Sequence, residues 1–300
     1  MRIKIYPLVV LCALAISNMG YSQSLLESLE KEQEETSYPV QATFKANRIG
    51  LGQSVETRKQ GGLEISANTR FWNIREETQA FIADRVTSRL GVSYAFTDRF
   101  TLGAGVTTFD GIFDAFGKYR LVYQKSGKGS PISITLFQNA SLKTNPDRSI
   151  NQAGSFSEKL SFGTQLLLAR KFTRNFSLQL SPTFIHRNSA LSPEDPTNHF
   201  ALGFGGRYRI GGHVSVTSEY YYLANPIESS NTFDAFSLGV NWELTDLMLQ
   251  FYMTNSHNIA DDVFITQTRN NFNTRDGNFF FGFSATILLH LKQNKLKKVK

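Results

Sequence analysis

The sequence holds few of the residues that staple small folds or bind metals. There is one cysteine, Cys12, in 300 residues. It follows Leu11 in the middle of an apolar run, not a small residue at its end, so it does not read as a lipid-attachment site. It is expected to leave with that run, so the mature chain has neither disulfides nor a thiolate metal site. No later segment offers an apolar run of about 18 residues, which excludes a helical membrane span. A charge excess is also missing from the body. The net charge is +7, but two basic groups lie in residues 1–22 and five lysines in Lys292–Lys300, with no acids in either. Removing those seven from the 32 basic residues leaves 25, against 25 acids. A neutral body with basic ends is no nucleic-acid face, and no nucleic-acid partner is expected.

Catalytic patterns are equally scarce. The histidines are His186, His199, His213, His257 and His290, with no H-x-x-x-H pair and no carboxylate at ligand spacing, so neither metal nor cofactor is expected. A lipid hydrolase needs Ser, His and Asn on one face, yet Ser181 and Thr183 alternate away from His186. His186, beside Arg187, reads as a rim residue meeting lipid headgroups. Gly203-Phe204-Gly205-Gly206 resembles a phosphate loop only superficially, because it lies mid-strand with no following helix. A non-enzyme is expected.

The N-terminus has the parts of a signal peptide over 1–22: Arg2 and Lys4, the short apolar run Leu8–Ile16, then Gly20-Tyr21-Ser22 before Gln23. Residues 23–38 form an acidic extension with Leu25, Leu26 and Leu29 on one side. It is expected to be solvated in the periplasm; a docking helix for a periplasmic partner at Ser24–Tyr38 is the sharper alternative.

From Leu63 onward the chain alternates apolar and small-polar residues, as in R-V-T-S-R-L-G-V-S-Y-A-F followed, after T-D-R, by F-T-L-G-A-G-V-T-T-F. The pattern predicts an all-β fold: a transmembrane antiparallel up-and-down barrel over 63–291, of about 12 strands. Strands are expected at 63–72, 85–96, 99–108, 113–123, 132–142, 159–171, 175–187, 199–210, 214–223, 233–244, 247–255 and 278–291. Short turns at Thr97–Arg99, Thr173–Asn175, Gly211–His213 and Thr245-Asp246 alternate with longer loops. Short turns on the periplasmic side put both termini there, which requires an even strand count. Val40–Arg48 also alternates, and with Val263–Thr268 would make 14 strands. Residues 39–62 are instead expected as a plug-like segment in the barrel mouth or along its base.

Register follows from the turns. Pairing Phe96 with Phe100 sets Tyr94 opposite Leu102 and Leu90 opposite Val106. Small polar residues on one face and aromatics such as Tyr94, Phe100, Phe172, Tyr208 and Trp242 near the turns place lipid outside and a crowded lumen inside. Glu64, Arg70, Arg85, Arg89, Lys118, Arg120, Arg207, Arg209 and Glu219 are then expected to line the lumen. Glu219 falls opposite Gly205, diagonal to Arg207. These residues read either as a polar network filling a narrow barrel or as an eyelet favouring small anions.

The chain resembles a domain-of-unknown-function family of predicted Gram-negative outer-membrane β-barrels, over roughly 39–291. The resemblance rests on Ala42-Thr43-Phe44-Lys45, Gly52–Glu56, Thr97-Asp98-Arg99, Leu166–Phe172, Leu180–Asn188, Phe200–Tyr208, Glu219–Tyr222, Thr254-Asn255-Ser256 and Phe281-Gly282-Phe283. It implies a barrel, an outer-membrane address, and contact with outer-membrane lipid and the outer-membrane assembly machinery, but no activity. Lys292–Lys300 departs from it as a basic periplasmic tail after Leu291. The expected function is a narrow channel or transport protein for small solutes, with the Arg/Lys-rich lumen pointing to small anions; the alternatives are a plugged, non-conducting anchor or docking platform, and a soluble periplasmic lipid-binding barrel.

Overall fold

A computed structural model describes residues 38–40, 42–72, 83–144, 155–273 and 279–291. The expected signal peptide, most of the acidic extension and the basic tail lie outside the described residues. One small unit is a two-residue ladder of Tyr38–Pro39 with Lys125–Ser126. The main unit is a closed antiparallel barrel.

Its strands are β1 Gly62–Trp72, β2 Arg85–Ala95, β3 Phe100–Thr107, β4 Ile112–Val122, β5 Ser133–Lys143, β6 Leu160–Lys171, β7 Phe176–Arg187, β8 Asn198–Arg209, β9 Val214–Leu223, β10 Ala235–Glu243, β11 Leu247–Thr254 and β12 Phe280–His290. Each pairs with its sequence neighbours, and β12 closes on β1 with Ala285 opposite Ala67. Twelve strands therefore make the wall, and the fourteen-strand alternative fails at both of its extra segments. Residues 42–48 form no strand, and Asp261–Thr266 forms a short helix, α1. Asp261 and Asp262 in its first turn suit a helix N-terminus, and all six of its residues are buried, leaving no edge for pairing.

The predicted register is the observed one. Tyr94 faces Leu102, Leu90 faces Val106, and Gly205 faces Glu219. Alternation sorts the two faces sharply: Leu90 is 66% exposed while Arg89, one residue earlier, is 2% exposed. Outward positions carry Leu, Val, Ile and aromatics, with rings gathered near the strand ends. Polar groups facing outward mid-wall find each other, since lipid offers no hydrogen bonds. Thr164 donates to Gln138 Oε1 at 2.6 Å across β6 and β5.

A barrel closed in this way resists detergent, and the folded chain is expected to run as a compact band on a cold detergent gel and to shift on boiling. A band indifferent to boiling would contradict a closed membrane wall.

Candidate functional site

The lumen is occupied by the chain itself. Residues 42–61 precede β1, and the stretch 42–56 runs inside the wall, burying Phe44, Ala46, Ile49, Leu51 and Val55. The segment reverses at a tight turn: Arg48 bridges Gln53, Ile49 N–H donates to Gly52 O at 3.0 Å, and Ser54 N–H to Asn47 O at 2.7 Å. The turn lies too close to the wall for any side chain at Gly52, where a Cβ would sit 1.7 Å from Tyr221 Oη. On the other side, Ile49 Cδ1 fills the space above Gly205, 2.5 Å from where its Cβ would be. That contact explains a mid-strand glycine that otherwise imitates a phosphate loop.

An irregular backbone in a dry interior must still satisfy its polar groups, and wall side chains do this. Glu219 accepts the N–H groups of Leu51 at 2.5 Å and Gly52 at 2.9 Å. Lys118 Nζ donates to the carbonyls of Asn47 at 2.8 Å and Ser54 at 3.0 Å. Gln179 accepts from Val55 N–H at 2.7 Å and donates to Gln53 O at 2.7 Å. Gln250 and Thr135 donate to Ile49 O and Val55 O, at 2.6 and 2.7 Å. Two apolar clusters add to these bonds. Leu51 packs with Tyr221 and Phe264; Phe44, Ile49 and Val55 pack with Phe137, Leu167 and Ala169.

A second layer comes from the loop after β11, residues 255–273. Arg70 donates to the carbonyls of Ser256, at 2.9 Å, and Asn258. Asp262 accepts from Ser141, at 2.7 Å, and Ser161. Arg187 donates to Thr266 Oγ1 at 3.1 Å. The two layers meet at Asp261, which pairs with Arg48 and accepts from Gln53 at 3.0 Å. A cavity of about 20 Å³ remains beside Asn47, Gln53, Asn68 and Arg89, room for about one water.

Of the nine residues expected to line the lumen, Glu64, Arg70, Arg89, Lys118, Arg120, Arg207 and Glu219 are buried inside it. Arg85 and Arg209 are not brought to it. Their parity is inward, but they stand at strand ends, and length along the strand overrides parity there. Arg85 is exposed, and Arg209 donates to the turn carbonyls of Gly211 and Gly212 at 2.8 and 2.6 Å. Glu219 lies diagonal to Arg207 as expected, but the two do not pair. Arg207 pairs with Glu243, which accepts its Nε–H at 3.1 Å, because Glu219 is taken by the inner turn. Arg89 pairs with Asp114, Arg120 with Glu56 at 3.0 Å, and Arg58 with Glu64 at 2.6 Å. Sequence reading named Glu64 but missed Glu56, Asp114 and Glu243, although Asp114 and Glu243 occupy inward positions that alternation marks.

Removing one member of such a buried pair strands the other charge. Glu243→Ala is expected to lower stability by about 3–5 kcal/mol, read as a lower temperature of the gel shift. The double variant Glu243→Ala/Arg207→Met is expected to recover most of it.

The loop is fastened at the long-loop end of the barrel by aromatic packing. The His257 ring meets Phe109 edge-on at 4.8 Å and Trp72 at 5.8 Å. Burial, then the charge of Arg70, pushes its pKa from 6.5 down to about 4. The unlatched loop therefore takes up a proton before the latched one does. Latching by His257 is complete above pH 6.5 and weakens as pH falls towards 4. Limited proteolysis within 255–273 is expected to rise over that window, and His257→Phe to abolish the rise. Among the described residues no cluster of three His, Cys, Asp or Glu could hold a metal.

Residues 44–289 match the family described as a membrane-bound beta barrel domain, DUF5777. The chain belongs to this family. Among solved structures, the chain is similar to the NanC porin, with 9% identity, a TM-score of 0.47, and coverage of 77% of this chain and 100% of that one. The KdgM porin follows at 11% identity and a TM-score of 0.46, covering 76% and 99%. The COG4313 outer membrane channel from Pseudomonas putida F1 has 12% identity and a TM-score of 0.46, covering 78% and 98%. No curated protein sequence matches.

Proposed function

We propose that this protein is an outer-membrane transport barrel that rests closed, with residues 42–61 as its plug. The observation that carries this reading is the way the segment is held. Its backbone is bonded by polar side chains of the wall, among them Glu219, Lys118, Gln179 and Gln250. Water can replace such bonds at a net cost of roughly 1 kcal/mol for each amide bond and about 1.5–3 kcal/mol for those of Glu219 and Lys118, so the segment can leave without destroying the wall. The segment precedes β1 and so enters from the short-turn side, which we assign to the periplasm together with both termini.

The excess of arginine over carboxylate, which suggested an anion-favouring eyelet, carries less weight in the folded barrel. Withdrawal of the segment uncovers Lys118 and Arg120 but also Glu64, Glu219 and Asp261. An opened pore is therefore expected to show no preference for anions, read from its reversal potential in a salt gradient.

The second reading is a permanently filled barrel that anchors or docks. The apolar packing of Leu51 on Tyr221 and Phe264 favours it. Planar-bilayer recording separates the two. The full chain is expected to show no steady conductance, and deletion of residues 42–57 to produce steady single steps. A deletion variant that folds by the gel shift yet stays silent favours the anchor. Steady conductance of the full chain would overturn the closed resting state.

A further inference from the structure

Among the described strand residues, the lipid-facing wall carries a single full charge. Among the described residues, every Asp, Glu, Lys and Arg in the twelve strands sits at an inward-facing position except Arg170 on β6. Its side chain is exposed, its guanidinium makes no hydrogen bond or ion pair with the described residues, and it lies 5.1 Å from the ring centre of Phe172. A lone cation on a lipid face is costly at mid-depth and tolerable near an interface. Arg170 is next to last on its strand, beside the Phe172 and Phe176 rings of the short-turn girdle.

Arg170 also heads an outward groove. Gly206 on β8 and Ser218 on β9 stand side by side and leave a dent in the wall. Ile132, Leu178, Leu180 and Phe204 rise around it, enclosing about 430 Å³ of mostly apolar space. Arg170 stands opposite Leu178, at the groove's edge.

We propose that this groove binds one anionic phospholipid, its phosphate on the Arg170 guanidinium and an acyl chain over Gly206 and Ser218. A planar guanidinium with unused N–H groups fits a phosphate diester, and the dent fits a flexible hydrocarbon chain. A second copy of this chain fits poorly, because the outward positions of its twelve strands offer no carboxylate to meet Arg170. The inference needs only a membrane wall, and stands whether or not the lumen conducts.

The test is native mass spectrometry of the full chain released from bilayers of equal phosphatidylglycerol and phosphatidylcholine. The wild type is expected to retain one phosphatidylglycerol in preference to phosphatidylcholine. Arg170→Gln is expected to reduce that preference on the order of tenfold, and Gly206→Leu to reduce retention of both lipids by filling the dent. Arg209→Gln, a cation at the same end but on the inward face, is expected to change nothing. Equal retention of the two lipids by the wild type, or a preference unchanged in Arg170→Gln, would overturn the proposal. Dimers in place of bound lipid would also overturn it.

Discussion

Gly52→Val is expected to turn a silent barrel into a conducting one. A Cβ at this position meets Tyr221 Oη at 1.7 Å, and Tyr221 is itself 2% exposed and packed against Phe264. Neither side can yield cheaply, and overpacking of this kind costs about 1–3 kcal/mol or more. Displacing the turn also removes the Leu51 and Gly52 N–H groups from Glu219, stranding a buried carboxylate, worth a further 3 kcal/mol or so. Each 1.4 kcal/mol is about tenfold in population, so the open state gains on the order of a thousandfold. Single-channel recording reads this as steady openings. Adding Tyr221→Ala removes the obstacle and is expected to restore closure, a coupling that unrelated damage would not show. Gly212→Val is the control, since a Cβ there has no neighbour within 4 Å.

Asp261→Ala is expected to loosen both inner layers at once. Asp261 belongs to α1 in the loop after β11, and its partners Arg48 and Gln53 belong to the inner segment. With Asp261 4% exposed and Arg48 11%, the pair is nearly dry. Losing the carboxylate leaves a buried guanidinium at a cost of about 3–5 kcal/mol. The expected signs are faster proteolysis in 255–273 and flickering conductance in bilayers. Arg48→Met in the same chain removes the uncompensated charge and is expected to reverse most of the effect. If Asp261→Ala leaves the inner segment as protected as in the wild type, the two layers are not coupled.

The wall was legible in the sequence because a strand of period two exposes its logic residue by residue. Leu90 and Arg89, or Tyr208 and Arg207, show which face meets lipid without any tertiary knowledge. Three-residue turns then fixed the register, and Gly205 opposite Glu219 followed from the Ile210–Val214 pairing alone. The interior was less legible, for a physical reason. Lumenal residues choose partners across the barrel, and sequence adjacency says nothing about distances across it. Glu219 and Arg207 are near neighbours on the wall, yet each bonds elsewhere, one to the inner turn and the other to Glu243. Val263–Thr268 misled in the same way, since its apolar residues pack into the lumen from a helix and not from a strand. Arg85 and Arg209 show the limit of parity itself, which assigns a face but not a depth.

Solvent access to the inner wall is the most direct measure of whether residues 42–61 fill the lumen. Ser93 is 6% exposed, and its hydroxyl takes the Asn47 amide at 3.4 Å. Its position lets a single thiol report on that contact once Cys12, the only cysteine of the chain, is replaced by serine. A Ser93→Cys chain folded in liposomes is expected to resist a water-soluble thiol reagent, and to react on the order of a hundredfold faster once residues 42–57 are deleted. Rapid labelling of Ser93→Cys in the undeleted chain would contradict a lumen closed by its own N-terminal segment.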